Sequence, residues 1–279
     1  MTTFKQAYIK GKSALEQAGI LDSSLDAKYL LEYVTKKDSI IFALDGERKL
    51  NQEEENTYDE LIRRRAKRYP LQYITNEQEF MGFSYYVNEN VLIPRQDTEC
   101  LVEEVLKYKN RFSSVLDLCT GSGCIGISIE KMSKAKVTLA DISKKALEVA
   151  KRNRQNLDSN VTLVESDLFE KIQGTFDVIV SNPPYIRSSV IPGLMDEVKM
   201  YEPMLALDGK EDGLFFYRNI IREAKAHLNP EGMLFFEIGH DQREEVVGCM
   251  EEEGYRNVYC VKDLAGLDRV VAGTWSSNE

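Results

Sequence analysis

Val115-Leu116-Asp117-Leu118-Cys119-Thr120-Gly121-Ser122-Gly123-Cys124-Ile125-Gly126 runs from an apolar stretch into three glycines within six residues. The pattern predicts a buried strand over 115–119, a tight turn, and a helix over 125–132. Beyond it the same alternation continues, with strand signals at 137–140, 161–164 and 176–181 and a helix at 144–156. Helices at 212–228 and 242–253 and strands at 233–238, 255–261 and 269–275 complete the run. Such alternation predicts an α/β fold, a parallel sheet with helices on both faces. In that architecture ligands sit at the carboxyl ends of the strands.

Three of those strand ends outline a nucleoside. The glycines let the backbone approach a ligand closely, and the helix that follows attracts negative groups with its N-terminus. Asp141 lies twenty residues after Gly121, placed to accept two hydrogen bonds from ribose hydroxyls, and Asp167 suits an adenine amino group. Gly121, Gly123 and Gly126 also satisfy G-x-G-x-x-G, the dinucleotide fingerprint. Against NAD stands Asp117, whose charge suits a cationic ligand group better than a pyrophosphate. S-adenosylmethionine (AdoMet) carries an adenosine, an ammonium and a sulfonium, and fits acids at the strand ends.

The fourth strand closes on Ser181-Asn182-Pro183-Pro184-Tyr185. Consecutive prolines lock two φ angles and remove two N–H donors, leaving carbonyls without a ladder. The Asn182 amide and the Pro183 carbonyl then offer two acceptors to one planar –NH2 group, and Tyr185 adds a flat face. A plain Pro-Pro turn is the bland alternative.

Ahead of the sheet, helical spacing over 4–18, 24–37 and 51–67 predicts a small bundle, with Ser23 or Ser24 as one N-cap and Asn51-x-x-Glu54 as a capping box. Arg63-Arg64-Arg65-Ala66-Lys67-Arg68 sits where a helix dipole favours cations; a docking site for an acidic partner is the alternative. Tyr69-Pro70 breaks that helix, so the expected domains are 1–70, a hairpin linker over 71–96 and a catalytic domain over 97–279. Within the linker, 77–87 reads as a hairpin turning at Gly82. Val91 to Ile93 then reads as a strand running into Pro94-Arg95-Gln96-Asp97-Thr98-Glu99, with Asp97 or Thr98 as N-cap and the segment as one pocket wall. The residues from Ile186 to Lys210 carry few periodic signals and are a candidate lid.

The chain has 279 residues, 43% of them hydrophobic, enough for two cores. It has no apolar run of eighteen residues, and its first residues do not read as a signal peptide, so a cytoplasmic protein without membrane contact is expected. Five scattered cysteines and two histidines argue against a zinc site or a disulfide framework. Residues 1–70 carry net charge +1 and the remainder −11. An acidic catalytic domain disfavours gripping nucleic-acid phosphates.

Taken together, Pro70 through Ile74, Phe80-Met81-Gly82, Val91 through Glu99, Asp117 through Gly123, Asp141, Ser181 through Tyr185, Glu202-Pro203 and Ala206-Leu207 make the chain resemble a known family. These are the class I AdoMet-dependent methyltransferases, and within them the HemK/PrmC family of protein-(glutamine-N5) methyltransferases that act on peptide chain release factors. The resemblance implies a seven-stranded Rossmann-like sheet behind a helical substrate-docking domain, a monomer, and methylation of the glutamine in a Gly-Gly-Gln loop. It implies AdoMet contacts from Asp117, Cys119, Thr120, Gly121, Ser122, Gly123, Asp141, Asp167, Leu168 and Asn182. It implies substrate contacts from Asn182, Pro183, Pro184 and Tyr185, with Asn182, Pro183 and Tyr185 catalytic. Two departures stand out: Cys119 occupies a position usually held by Gly, and Leu168 replaces an aromatic found in some relatives. The alternatives are an N6-adenine or N4-cytosine DNA methyltransferase and a silent AdoMet-binding scaffold.

Among isolated residues, Cys124 and Cys249 are expected as buried small side chains, Trp275 as core, and His240 as a surface histidine. Met195, Met200 and Met204 are expected to fill gaps beneath the lid.

Overall fold

The computed structural model describes residues 2–37 and 46–276. Two compact units result: Met1–Glu77 with Met195–Tyr201, and Gln78–Leu194 with Glu202–Glu279.

In the first unit, α1 (Phe4–Gln17), α2 (Ser23–Thr35), α3 (Gln52–Ala66) and α4 (Leu71–Thr75) enclose Phe4, Leu15, Leu30, Leu31, Leu50 and Tyr58. The Asn51 capping box forms as expected, with Glu54 N–H donating to Asn51 Oδ1 at 2.8 Å and the reverse bond at 2.8 Å. At α2 the N-cap is Asp22, which makes no side-chain cap bond, and Ser23 lies buried in the first turn. The chain does not leave this unit at Pro70. Pro70 is the N-cap of α4, whose Tyr73 and Ile74 are buried, so the boundary falls after Glu77.

The basic cluster is largely occupied within its own unit. Arg65 Nε donates to Asp26 Oδ2 at 2.6 Å, and its other nitrogens reach Glu197 at 3.2 Å. Glu197 belongs to α5 (Asp196–Tyr201), the middle of the stretch read as a lid. Tyr201 donates its hydroxyl to the Lys67 carbonyl at 2.8 Å and packs edge-on against Tyr69 at 5.0 Å. Charge and aromatic contact therefore hold this segment. Met195, Met200 and Met204 are exposed rather than filling gaps, because the anchoring contacts come from Glu197 and Tyr201.

The second unit opens with a hairpin, β1 (Gln78–Phe80) and β2 (Phe83–Tyr85), which turns through Met81 and Gly82 at positive φ. Phe80 and Tyr85 enter the sheet's core, so the hairpin is part of this unit and not a free linker. The strand expected at Val91–Ile93 is absent. Val91 and Ile93 are buried in irregular backbone instead, and a 3-10 turn over Gln96–Thr98 leads into α6 (Glu99–Leu106) without a side-chain cap.

The sheet comprises β3 (Ser114–Leu118), β4 (Lys136–Asp141), β5 (Thr162–Glu165), β6 (Phe176–Ser181), β7 (Leu228–Glu237), β8 (Arg256–Lys262) and β9 (Asp268–Trp275). Their order is β5-β4-β3-β6-β7-β9-β8, with β9 antiparallel to both neighbours and the other pairs parallel. The central strands read as unbroken apolar runs because helices cover both faces. One face holds α7 (Cys124–Ser133) and α8 (Lys144–Asn156); the other holds α10 (Phe215–Ala224) and α11 (Arg243–Glu252). A short α9 (Met204–Leu207) ends the returning loop, which Ile186 pins through bonds with Leu207 and Gly209. Cys124 is buried, Cys249 and Trp275 are half-buried, and His240 is exposed. Among the described residues no helix is long and apolar enough to cross a membrane.

Candidate active site

A cavity of about 280 Å³ opens at the carboxyl ends of β3, β4, β5 and β6. Leu118 ends β3, and Cys119 turns the chain with φ 58°, a left-handed backbone that costs any residue with a Cβ. Thr120, Gly121 and Ser122 follow along the cavity wall, and Gly123, at φ 83°, is the N-cap of α7. Gly126 is required for a different reason. A Cβ there would lie 2.2 Å from Leu139 Cδ2 and 2.9 Å from Asp117 Oδ2.

Asp117 does not line the cavity. It is fully buried behind the loop, where Oδ2 accepts Thr120 Oγ1 at 2.5 Å and the Gly126 N–H at 2.9 Å, while Oδ1 has no partner. Burial pushes its carboxyl up to about 7 despite those two donors. Through Oδ2, Asp117 ties the turn to the first turn of α7.

Asp141, at the end of β4, does line the cavity. Its Oδ2 accepts the Gly121 N–H at 2.9 Å and Oδ1 accepts the Ser143 N–H at 2.8 Å. Each oxygen keeps a further lone pair, so the carboxylate is preset by backbone donors and still able to accept from a ligand. Asp167 and Leu168 lie beside it, two and three residues beyond β5.

Asn182 and Pro184 line the cavity too, with Pro94, Arg95 and Thr98, so the expected pocket wall from the segment ahead of α6 is present. Asn182 Nδ2 lies 3.5 Å from Thr98 Oγ1. Pro183 is buried and Tyr185 half-buried, both outside the lining. Tyr185 turns its hydroxyl to Glu237 Oε1 at 3.4 Å, and its carbonyl accepts Gln242 Nε2 at 3.0 Å. These contacts fix the turn behind Asn182 through the Tyr185 hydroxyl and carbonyl. Gly209 and Gly213 admit that close packing, since a Cβ on either would meet the Tyr185 backbone within 3 Å.

Four residues to which the sequence reading gave no role in the site stand around it. Glu202 reaches Arg95 at 2.5 Å from the far end of the loop, Leu205 and Phe215 add an apolar rim, and Glu237 lies buried with Tyr185 at 3.4 Å. A signal for Glu237 was available. It is the acid that closes the apolar run Met233-Leu234-Phe235-Phe236, where charge is costly unless used.

The site suits AdoMet on its own chemistry. A glycine turn at a helix N-terminus, a carboxylate fixed by two backbone N–H groups, and an apolar side chain at Leu168 meet around one cavity. Residues 6–75 match the family model described as the PrmC N-terminal domain, and residues 96–196 match the methyltransferase small domain. The release factor glutamine methyltransferase of Clostridium acetobutylicum is 46% identical over 275 residues, covering 96% of each chain. That of Clostridium botulinum is 42% identical over 275 residues, covering 96% of this chain and 97% of its own. A methyltransferase from Pyrococcus furiosus superposes with a TM-score of 0.52 at 21% identity, covering 70% of this chain and 90% of that one, a likeness of fold. With that cavity, that sheet order and these relatives along nearly its whole length, the chain belongs to the release factor glutamine methyltransferase family.

Proposed function

We propose that this protein transfers a methyl group from AdoMet to the side-chain amide nitrogen of the glutamine in a Gly-Gly-Gln loop of class 1 peptide chain release factors. The observation that carries the reading is the placement of Asn182 on the same cavity as the Gly121 turn and Asp141. When bound, AdoMet supplies a methyl group made electrophilic by its sulfonium. The Cys119–Ser122 loop, Asp141, Asp167 and Leu168 would hold it.

An amide nitrogen is a poor nucleophile because its lone pair is delocalised into the carbonyl. Asn182 Oδ1 and the Pro183 carbonyl each accept one N–H of the incoming amide, which orients the nitrogen and stabilises positive charge as it develops. Proximity does the rest, and well-oriented systems gain roughly 7–11 kcal/mol this way. Pro184 shapes the wall, and Tyr185 fixes the turn from behind. No histidine base is called for.

A DNA methyltransferase is disfavoured by the charge of −11 carried after residue 70. The protein is expected to act as a monomer in the cytoplasm, without nucleic acid, with the helical unit helping to hold the release factor. Asn182→Ala tests the reading: methyl transfer should vanish while AdoMet affinity, measured by calorimetry, stays. A variant that turns over at the normal rate would remove Asn182 from this role.

A further inference from the structure

Pro94, Pro184 and Pro203 all line the cavity, and a proline has no N–H to give, so these three positions bring no backbone donor to a ligand. Arg95 stands among them. It is the one lysine or arginine on the cavity wall among the described residues. Its carbonyl accepts the Thr98 N–H at 3.1 Å, which places it one turn ahead of Thr98, and Thr98 Oγ1 lies 3.5 Å from Asn182 Nδ2. Of the guanidinium nitrogens, Nη2 is engaged by Glu202 Oε1 at 2.5 Å, while Nε and Nη1 have no partner among the described residues. Glu202 is buried, and its Oε2 has no hydrogen-bond partner. A buried acid satisfied at one oxygen alone contributes less to a fold than an apolar side chain of its size would. What Glu202 does achieve is to fix the Arg95 guanidinium at the wall.

We propose that Arg95 binds the main-chain carbonyl oxygens of the substrate's glycine-rich loop, and that Glu202 is the positioning residue that holds its guanidinium in place. The inference rests on the function proposed above. There, Asn182 Oδ1 and the Pro183 carbonyl take the N–H groups of the glutamine amide. The two glycines ahead of that glutamine have no side chains, so peptide N–H and C=O groups are what they present for recognition. A guanidinium carries its N–H groups in a rigid planar fork, and Arg95 spends one edge of it on Glu202. The competing acceptor is the carboxylate of AdoMet. Glu202 already neutralises Arg95, and a second carboxylate would set two anions on one cation in a cavity that also holds Asp141 and Asp167. An uncharged carbonyl takes the free N–H groups without that repulsion.

The test measures steady-state methyl transfer from AdoMet to a purified release factor, with AdoMet affinity by calorimetry and thermal unfolding beside it. It compares the wild-type chain with Arg95→Lys, Glu202→Gln and the double variant Arg95→Met/Glu202→Gln, which removes the cation without stranding the acid. The double variant should raise the KM for the release factor by about 10–100-fold, the usual cost of losing hydrogen bonds from a charged donor, with kcat changed less and AdoMet affinity kept. Arg95→Lys keeps the ion pair but not the fork, and Glu202→Gln keeps the fork but not the ion pair. Each should raise KM by a smaller factor. A release-factor KM that stays normal in the double variant would overturn the proposal. So would a fall in AdoMet affinity at unchanged KM, which would give Arg95 to the cofactor's carboxylate. Both of those results leave the proposed methyl transfer standing, because the wild-type chain still labels the release factor. A wild-type chain that labels no release factor would remove both.

Discussion

Arg95, which lines the cavity, and Glu202, 107 residues apart in the chain, meet at 2.5 Å. The Glu202 side chain is 1% exposed and that of Arg95 40%. Burial raises the Glu202 carboxyl, and the guanidinium opposes that rise. Arg95→Ala therefore strands a buried acid, whereas Glu202→Gln leaves an exposed arginine in water. Arg95→Ala should lower stability by about 1–3 kcal/mol, less than a fully buried pair would lose because one partner is wet. Glu202→Gln should cost less. Urea unfolding of both variants at neutral pH checks the order, and an Arg95→Ala that unfolds like wild type contradicts it.

Gly126→Ala inserts a methyl group between Leu139 and Asp117. Overpacking of this kind costs about 1–3 kcal/mol, and because Gly126 donates to Asp117 it should also loosen the Gly121 turn. Both a lower Tm and weaker AdoMet binding are expected. A fall in Tm with unchanged binding would separate the turn from α7.

Cys119→Gly should act in the opposite sense. The left-handed backbone at Cys119 costs roughly 1–2 kcal/mol in any residue with a Cβ, part of which a glycine gives back through its freer unfolded chain. Stability should rise slightly and AdoMet affinity hold, read by unfolding and calorimetry together. A clear loss of affinity would show that the sulfur contributes to the site.

Asp117 makes stability depend on pH in a defined direction. Burial raises its carboxyl from 3.8 to about 7, so the folded chain keeps a proton that the unfolded chain releases. Its contribution is greatest below about 4 and is lost as pH rises toward 7, by on the order of 2–4 kcal/mol at most. Asp117→Asn should flatten that fall. The difference in unfolding free energy between Asp117→Asn and wild type, taken at pH 5 and pH 8, should shift in favour of the variant at the higher pH. A pH-independent difference contradicts the account.

Periodicity made the sheet readable because β3, β4 and β6 are apolar runs punctuated by glycine and proline, and each signal is local. Asp141 and Asn182 were readable for the same reason, since a polar residue closing such a run has few structural excuses. What escaped depends on residues distant in sequence. Val91 to Ile93 carries the composition of a strand, yet the Val91 N–H turns back to the Asn88 carbonyl at 3.2 Å and the segment stays irregular, with Val91 and Ile93 buried. The middle of the 186–210 stretch has no period of its own because Arg65, Lys67 and Tyr69 supply its contacts. The donors to Asp117, Thr120 and Gly126, were not readable because sequence gives a carboxylate's position in a loop but not which way it faces. Tyr185 turned inward for a partner, Glu237, 52 residues away.

The central claim is most directly tested by transfer of radiolabelled methyl from AdoMet to a purified release factor, beside a variant whose Gly-Gly-Gln glutamine is replaced by alanine and a duplex DNA control. The account predicts label on the wild-type factor alone. Label on the alanine variant or on DNA, or on nothing while AdoMet still binds, would contradict it.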